Sequence, residues 1–281
     1  MTVLVTGGTG KTGTALVELL RAEAVPVRVA SRNPVHGDPG SIRFDWHDLA
    51  THAPALRGVD SVFLVPPVNS VDPMPLVAPF LAEAKRLGVD RVVLLGSAIV
   101  LPNAPSALRM ADAVRAQPGW VVLRASAFMQ NFLSPHPVGE RIRRRGEIRT
   151  AAGDGRVAWI DAHDIAAAAF ALLRPGAERT GESDYLLTGP KALSYADAAT
   201  IITARAGHEV RVAEIGTDEQ AAHYRASGDS EEFAASIAAV EEGIREGRED
   251  QVSTAVLDLT GRPPRSFEEF ADVHAAAWSD G

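Results

Sequence analysis

Three glycines near the start of the chain are the first residues whose type and spacing could do chemistry. Gly7, Gly10 and Gly13 form the pattern Gly-x-x-Gly-x-x-Gly directly after the apolar run Val3–Val5. A tight turn from strand to helix needs the permissive dihedral angles of glycine, and a pyrophosphate needs bare backbone that it can approach closely. The positive end of the following helix would then face the anion. We therefore predict a binding site for a dinucleotide pyrophosphate. Its residues are Gly7, Thr9, Gly10, Lys11, Thr12 and Gly13.

The same segment has a second interpretation as a nucleotide-triphosphate loop. Gly10-Lys11-Thr12 imitates the end of a P-loop, which would indicate a triphosphatase. The P-loop requires a glycine five residues before Gly10, and Val5 occupies that position inside the predicted strand. The triphosphatase interpretation therefore fails.

The residues at the end of the second predicted strand select the cofactor. An NAD-binding chain places Asp or Glu there to bond the ribose 2′-hydroxyl, whereas an NADP-binding chain supplies a cation. Here the strand Val27–Ala30 continues into Ser31 and Arg32 without a carboxylate. The planar guanidinium of Arg32 can pair with a 2′-phosphate, and Ser31 can add a hydrogen bond. Arg32 as a plain surface residue is the alternative, but together with the turn these residues predict NADP (NADPH).

Alternating strands and helices must position these residues. In the first two-fifths of the chain, short β-branched runs alternate with amphipathic stretches, which is typical of βαβ units and a parallel sheet. The runs are almost continuously apolar, as strands buried on both faces should be. The predicted strands are Val3–Val5, Val27–Ala30, Ser61–Val65, Val92–Leu95 and Val121–Leu123, and the predicted helices span about 12–24, 74–87 and 107–117.

The pattern loosens beyond Arg149. A helix ending at Leu173, a strand at 185–187 and a helix that Ser194 caps are predicted there. The polar, alanine-rich segment 218–247 has a helical period with a break at Gly228 and little apolar surface of its own, so we expect it to cover another part of the molecule.

These elements predict an α/β fold with a Rossmann-type doubly wound parallel sheet and a smaller C-terminal α/β substrate lobe. Residues 1–130 would form the NADP-binding domain, with residues 157–175 packing back onto it. Residues 131–281 would form mainly the substrate-binding lobe and lid.

Composition narrows the classes of partner. The absence of cysteine excludes disulfides, thiolate metal sites and a cysteine nucleophile. A net charge of -8 argues against nucleic acid, which demands a concentrated basic face. The one basic cluster, Arg141–Arg145, is better explained as a solvated helix face than as a phosphate-binding patch. The partner we expect is a small-molecule substrate.

Localisation and metal binding are also constrained. No apolar run approaches the roughly 20 residues of a membrane span. The first residues lack the basic region and cleavage site of a signal peptide, so we expect a cytoplasmic protein without membrane contact. The nearest histidine cluster, His47-Asp48 with His52, lacks metal-binding spacing, so we predict no metal. The sequence leaves open whether the chain forms a homodimer.

A series of short motifs runs along nearly the whole chain in a fixed order. They are Val5–Gly10, Ser31–Pro34, Phe44–Trp46, Phe63–Pro67, Leu123-Arg124, Phe128–Phe132, Ile160-Asp161, Asp164–Ala166, Leu187–Pro190 and Thr260–Phe267. In order and spacing they resemble the NmrA-like family of atypical short-chain dehydrogenases/reductases. The closing motif is similar to that of ergot-alkaloid-type reductases and of bacterial NADPH:quinone or azo-dye reductases.

The resemblance implies an NADPH-dependent reductase and assigns further site residues. It implies that Asp45-Trp46 lies along the adenine and that Val65-Pro66-Pro67 passes the nicotinamide ribose. Ser97 and Asn131 would border both the nicotinamide and the substrate. These positions agree with the rule that ligands bind outside the carboxyl ends of parallel strands. A packed Trp46 and a loop-capping Asn131 are the alternatives.

The usual proton donor of the wider superfamily is missing from its expected place. A Tyr-x-x-x-Lys pair normally follows the strand that here ends near Leu95, yet Leu101–Pro118 contains neither residue type. Arg109 stands about where relatives often keep a lysine, but a guanidinium cannot transfer protons at neutral pH.

Three explanations stay open. The substrate could be a quinone, an imine or iminium ion, or an activated double bond, for which hydride transfer needs little positioned acid. Another group could serve as the acid, and we assign Tyr224 to the catalytic set with Ser97 and Asn131, keeping His223 and His136 as alternatives. The chain could instead be a catalytically silent NADP-binding redox sensor, or, more remotely, a scaffold with a vestigial turn.

Overall fold

A parallel β-sheet forms the centre of the molecule. The computed structural model describes residues 1–67, 70, 72–101, 106–177 and 181–279. The strands within these residues are β1 Val3–Val5, β2 Val27–Ser31, β3 Ser41–Arg43, β4 Ser61–Leu64, β5 Arg91–Ser97, β6 Val121–Ala125, β7 Glu147–Thr150, β8 Arg156–Val157, β9 Asp184–Leu187, β10 Leu193–Ser194 and β11 Arg211–Glu214. In the main sheet seven strands run parallel in the order β3-β2-β1-β4-β5-β6-β9.

Helices cover both faces of this sheet. The helices in the described residues are α1 Lys11–Ala22, α2 His52–Leu56, α3 Met74–Arg86, α4 Ser106–Arg115, α5 Pro137–Arg145, α6 Ala162–Leu173, α7 Tyr195–Ala206, α8 Thr217–Ala226, α9 Glu231–Arg245, α10 Ala255–Thr260, α11 Phe267–His274 and α12 Ala276–Ser279. On one face α1 packs against α6, and α10 joins them over the sheet. On the other face α2, α3 and α4 bury Phe80, Met110 and Val114 against the strands. The fold is therefore the predicted doubly wound α/β fold.

The order of the strands locates the ligand-binding edge. From β1 the chain adds β2 and β3 on one side, and it then crosses over to add β4, β5 and β6 on the other. Ligands of such sheets bind outside the carboxyl ends of the strands, where the order reverses. The glycine turn follows β1, so it lies at this point.

The C-terminal part builds a second, smaller core from aromatic rings. Phe132 meets Trp159 and Phe267 edge to face, with ring centroids 5.0 Å and 4.9 Å apart. The indole of the fully buried Trp278 donates a hydrogen bond of 2.7 Å to the Phe132 carbonyl. Two small pairings border this core, with β7 parallel to β11 and β8 antiparallel to β10.

A buried carboxylate joins this small core to the main sheet. Asp161 is fully buried, caps the start of α6 through the His163 N–H, and accepts a hydrogen bond of 2.8 Å from Gln130. The guanidinium of Arg265 donates to the same carboxylate at 2.7 Å, and the Arg265 N–H donates to Asp164. Burial alone would raise the pKa of Asp161, but the bonds from His163 and Gln130 and the charge of Arg265 outweigh it and hold the pKa below its usual range. The closing motif therefore ties the C-terminal segment to α6.

Most predicted elements are confirmed, with small shifts of their ends. The predicted helix at 107–117 begins one residue earlier as α4, and the segment 218–247 forms α8 and α9 with a break that contains Gly228. The strand predicted at 185–187 is β9, which extends the main sheet beside β6. The short strands β3, β7, β8, β10 and β11 were missed, because two to four residues carry too little periodicity to indicate a strand.

Candidate active site

The glycine turn between β1 and α1 has the backbone geometry that an anion site needs. Gly7 has φ of +63°, which side chains other than glycine rarely adopt. A Cβ atom on Gly13 would lie 2.2 Å from the Gly7 carbonyl oxygen, so only glycine allows the helix to start this close to the turn. At the start of α1 no side chain caps the helix at Gly10, and no acidic residue stands in the first turn. The first N–H groups of α1 are thus available to an anion.

A buried hydroxyl beside this turn lacks a partner. Thr12 is 3% exposed, and its Oγ1 makes no hydrogen bond within the residues that the structure describes. Buried polar atoms are almost always paired, so an orphan of this kind points to a polar group from a bound molecule. The bare backbone, the uncapped helix start and the Thr12 hydroxyl together fit a dinucleotide pyrophosphate.

The segment after β4 is fixed against the turn. The Val65 N–H donates a hydrogen bond of 2.7 Å to the buried Thr6 hydroxyl at the end of β1. The Val65 side chain packs so closely on Gly7 that a Cβ there would lie 3.1 Å from the Val65 Cβ. Val65-Pro66-Pro67 therefore runs beside the turn, and all three residues line the cleft described below. That this segment passes the nicotinamide ribose stays a prediction.

The residues expected at the adenosine end lie past β2 and β3. The Ser31 hydroxyl makes a local hydrogen bond to the backbone of Asn33. Arg32 is exposed, and among the described residues its guanidinium has no ion-pair partner, so it is free to take up a phosphate. Ser31 is paired in register with Arg43, which brings Asp45-Trp46 to the same end of the sheet.

Asp45 and Trp46 are held by neighbouring protein groups. The Asp45 carboxylate accepts a hydrogen bond of 3.0 Å from the His47 N–H. The Trp46 ring packs edge to face on Phe44 and Phe80, with centroids 4.8 Å and 5.3 Å apart. Trp46 is therefore anchored in the aromatic core of this face while remaining half-buried, and contact with an adenine stays a prediction.

A cleft of about 1640 Å³ opens outside the carboxyl ends of β4, β5 and β6. The structure brings Ser97, Asn131 and Tyr224, the three residues assigned to catalysis, to its wall. Its volume exceeds the roughly 300–1,000 Å³ of an ordinary small-molecule pocket. The cleft can thus hold the reactive end of a dinucleotide together with a substrate.

Ser97 and Asn131 differ in whether another group of the protein already forms a hydrogen bond with the side chain. The Ser97 hydroxyl donates a hydrogen bond of 2.7 Å to the Ile99 carbonyl, so its proton is held within its own loop. The Asn131 side-chain amide has no hydrogen-bond partner among the described residues and is free to bind a ligand. Asn131 is therefore the better placed of the two to orient a polar group in the cleft.

His136 lies at the wall of the cleft, but it is not an acid at neutral pH. Burial lowers the pKa of its imidazole to about 4, with a further contribution from the positive charge of Lys11 and an opposing one from the Asn131 carbonyl. Its Nδ1 accepts a hydrogen bond of 3.3 Å from the Val138 N–H at the start of α5. At pH 7 the ring is thus neutral and has a structural role as a helix cap.

The covering helices α8 and α9 place a buried polar network against the cleft. Glu241 is 4% exposed and accepts hydrogen bonds from Gln220 at 2.6 Å, from Thr150 at 3.0 Å and from the Ala151 N–H at 2.6 Å. The Tyr224 hydroxyl reaches the same carboxylate at 3.5 Å. Burial raises the pKa of Tyr224, and the charge of Glu241 raises it further. The Tyr224 hydroxyl therefore keeps its proton throughout the ordinary pH range.

Tyr195 is a cleft residue that the sequence analysis missed. Its ring packs on Trp159 and Phe132, with centroids 5.2 Å and 6.0 Å away. Burial raises the pKa of its hydroxyl well above the usual value, and that hydroxyl has no hydrogen-bond partner among the described residues. Nothing near Tyr195 in the sequence marks a site, although it is one of only three tyrosines in the chain. Tyr195 thus presents a free hydroxyl donor to this space, whereas the Tyr224 hydroxyl, also at the lining, makes its long contact with Glu241.

The described parts of the chain contain no group of three or more His, Asp or Glu side chains that could hold a metal ion. No helix in these parts is both long and apolar enough to cross a membrane.

The sheet order, the glycine turn and the cleft define a dinucleotide-binding protein of the Rossmann class. No protein-family model matches the chain. It is 41% identical over 279 residues to the uncharacterized oxidoreductase YesF of Bacillus subtilis (strain 168), which covers 99% of this chain and 96% of that protein. It is 32% identical over 289 residues to an NAD(P)H azoreductase of Xenophilus azovorans, covering 98% and 99%.

A solved structure extends the same similarity to the whole fold. The NADPH-dependent quinone oxidoreductase QOR2 of Escherichia coli, complexed with NADPH, superposes with a TM-score of 0.78 at 23% identity, covering 96% of this chain and 99% of that one. The chain belongs to the NmrA-like family of atypical short-chain dehydrogenases/reductases, and it is an oxidoreductase. The resemblance in the motifs is thereby confirmed.

Proposed function

We propose that this protein is an NADPH-dependent reductase that transfers a hydride to a small aromatic acceptor of the quinone type. One observation carries the proposal: a cleft with an aromatic wall adjoins the glycine turn through Val65, and free polar side chains face into it. Similarity to an azoreductase and to a quinone oxidoreductase supports the same reaction class.

The proposed cofactor residues are those named above, from the glycine turn through Arg32 to Val65-Pro66-Pro67. The Thr12 hydroxyl and the first N–H groups of α1 would bind the pyrophosphate, and Arg32 would bind the 2′-phosphate. When bound, NADPH supplies the hydride. Residues 1–130 with 157–175 would form the cofactor domain, and residues 131–281 would supply most of the substrate lobe and lid.

The residues of the cleft support a reaction that needs little acid. Leu101–Pro118, the segment that normally carries the Tyr-x-x-x-Lys pair, contains neither Tyr nor Lys. A quinone needs no such acid at the hydride step, because it becomes a stabilised phenolate when it accepts the hydride. One proton from water then completes the hydroquinone. Tyr195, which keeps its proton and has no partner among the described residues, would donate a hydrogen bond to the developing oxyanion. Tyr224, which also keeps its proton, would add a weaker one by turning from its long contact with Glu241. Asn131 would orient the acceptor, and the apolar wall would exclude water.

A catalytically silent NADP sensor is the second candidate. The observation that favours it is that His136, Tyr195 and Tyr224 all have pKa values moved away from neutrality, whereas an efficient general acid has a pKa near the working pH. Such a protein would bind NADPH tightly and would not turn over.

Steady-state consumption of NADPH with uncharged quinones and cyclic imines separates the two candidates. The reductase proposal expects turnover of quinones that saturates with quinone concentration and is weakened by Asn131→Ala. Tight NADPH binding without turnover of any quinone would refute the reductase and support the sensor. Turnover of imines but not of quinones would overturn the proposed acceptor class.

A further inference from the structure

A group of arginines lies along one wall of the cleft. Helix α5 and strand β7 bring Arg141, Arg144, Arg145 and Arg149 to the lining. The sequence analysis explained Arg141–Arg145 as a solvated helix face, and Arg144 and Arg145 are indeed exposed, yet both also line the mouth of the cleft. Their presence beside an aromatic pocket in an acidic protein calls for a separate explanation.

The local carboxylates do not balance these charges. Segment 137–150 contains five arginines and two glutamates, which leaves an excess of positive charge. Glu147 accepts from both Arg141, at 2.8 Å, and Arg149, at 3.0 Å. Glu140 is likewise shared by two arginines of the segment. Arg145 has no carboxylate partner among the described residues, so at least one guanidinium at this wall is free.

Groups on the covering helices do not supply the missing negative charge. Glu241 accepts hydrogen bonds from the neutral donors Gln220, Thr150 and Ala151, and it forms no ion pair with these arginines. His223 contacts Arg149 directly, and Glu219 lies 3.5 Å from that histidine rather than on an arginine. Asp229 lines the cleft as one further acidic residue, and it cannot neutralise the whole excess. This wall of the cleft is therefore cationic.

The cationic wall is separate from the expected phosphates of the cofactor. Arg32 follows β2, which lies on the opposite side of β1 from β4, β5 and β6. Helix α5 starts at Pro137, next to His136. The positive charge of Lys11 in the glycine turn contributes to the lowered pKa of His136, so the start of α5 lies near the turn. A helix rises about 1.5 Å per residue, so Arg145 lies about 12 Å further along. A two-ring aromatic molecule that starts beside the turn and carries a polar substituent at its far end covers most of that separation, and the long Arg145 side chain can reach over the rest.

We infer that the cleft selects aromatic hydride acceptors that carry an anionic substituent, a sulfonate or a carboxylate, which Arg145 and its neighbours bind. This inference rests on the proposed function and narrows its substrate class. The ring would pack on the wall formed by Phe132, Trp159 and Tyr195, and the anion would meet guanidinium donors whose planar fork matches its oxygens. The same charges would repel cationic iminium acceptors.

Binding of two unreactive ligands tests the inference without turnover. Naphthalene-2-sulfonate and the uncharged naphthalene-2-sulfonamide share ring and shape, and their affinities for the full chain saturated with NADP⁺ can be measured by calorimetry. The sulfonate should bind about tenfold more tightly, and Arg145→Gln should reduce this preference about three- to fivefold, as expected for one partly solvated ion pair. Raising the salt from about 50 mM to about 500 mM should also shrink it.

Arg143→Gln is the matched control. Arg143 is on the same helix and pairs with Glu140 at 3.0 Å, but it does not line the cleft. This variant should keep the preference for the sulfonate, whereas the double variant Arg144→Gln/Arg145→Gln should lose most of it. An equal preference in wild type and in Arg145→Gln, or an equal loss of both ligands in that variant, would overturn the inference.

Turnover measured in the same variants distinguishes this inference from the proposed function. The ratio of kcat/KM for 1,4-naphthoquinone-2-sulfonate to that for 1,4-naphthoquinone should follow the binding preference. If the uncharged quinone is turned over and Arg145→Gln does not change the ratio of the two kcat/KM values, the anion site is refuted and the reductase proposal stands. Sulfonate binding that depends on Arg145, without turnover of either quinone, would refute the reductase while the anion site stands.

Discussion

The glycine turn and the central cleft lie side by side at one edge of the sheet, yet the chain builds them in different ways. The turn is a continuous stretch in which backbone and missing side chains create the site, as at Gly13. The cleft takes Asn131, Tyr195 and Tyr224 from separate elements, and a buried carboxylate, Glu241, holds the covering helices in place.

This difference predicts how each region responds to change. A site made of bare backbone has no space for added atoms, so it should fail abruptly. A site made of side chains in a network should lose function by degrees, according to which partner is removed. Substitutions in the two regions can therefore break or support the comparison.

The largest effect is expected at Gly13. In Gly13→Ala the new Cβ would lie 2.2 Å from the Gly7 carbonyl oxygen, which is backbone and cannot rotate away, so the start of α1 must shift. Overpacking of this kind costs about 1–3 kcal/mol, and we expect NADPH affinity to fall about 10- to 100-fold in calorimetric titration. Gly181→Ala, where nothing lies within 4 Å, is the control. Undiminished affinity in Gly13→Ala would show that the turn tolerates side chains after all.

The same contrast explains what could be predicted from the sequence. The glycine turn was predicted because its signal is local: pattern, preceding strand and following helix occupy one short segment. Tyr195 and Glu241 were missed because nothing near them in sequence marks a site, and only long-range packing brings them to the cleft. The strands of the main sheet were predicted from continuous apolar runs, whereas edge strand β3, with three residues, has no such run.

Asp161 connects the small aromatic core to the main sheet that carries both regions, and its replacement should cost the most stability. Asp161→Asn removes a charge that caps α6 and binds Arg265, and we expect a loss of about 2–3 kcal/mol in urea denaturation. The pKa of Asp161 is lowered in the fold, so its contribution is complete above its unfolded value, near 3.8, and is lost as the pH falls through the folded value. The difference between wild type and variant should therefore shrink below about pH 4.

Asp154→Asn is the control for this prediction, because Asp154 is exposed and has no partner among the described residues. Its stability should stay close to that of wild type at every pH. A difference between wild type and Asp161→Asn that grows on acidification would contradict the assigned role of the carboxylate.

Replacement of Glu241 should lower the stability of the fold by a limited amount and leave cofactor binding unchanged. Glu241→Ala leaves the buried groups of Gln220 and Thr150 without their acceptor, which costs about 2 kcal/mol of folding stability. The neighbouring Glu242→Ala is the control, since Glu242 is exposed on the same helix. Urea denaturation should separate the two variants, while NADPH affinity stays near wild type in both. A collapse of NADPH affinity in Glu241→Ala would mean that the two regions are not independent.

Arg32 belongs to the predicted cofactor site, where its side chain would add to the binding by the backbone of the glycine turn. Arg32→Gln should lower the affinity for NADPH about tenfold and leave that for NADH unchanged, because only NADPH carries the 2′-phosphate. NADH is thus the control within the same protein. If wild type binds the two dinucleotides equally, Arg32 has no part in cofactor choice.

The smallest effect is expected at Tyr224. Its raised pKa makes the hydroxyl a hydrogen-bond donor that does not release its proton, so Tyr224→Phe should lower kcat for quinone reduction only about three- to fivefold, with little change in KM. Tyr185→Phe removes a hydroxyl from β9, away from the cleft lining, and should leave kcat unchanged. The shape of the pH profile between about pH 6 and 9 should be the same in wild type and Tyr224→Phe, because a group this far above neutrality does not titrate there. A loss of a thousandfold or more with an altered pH profile would make Tyr224 a proton donor, and the cleft would then fail as abruptly as the turn.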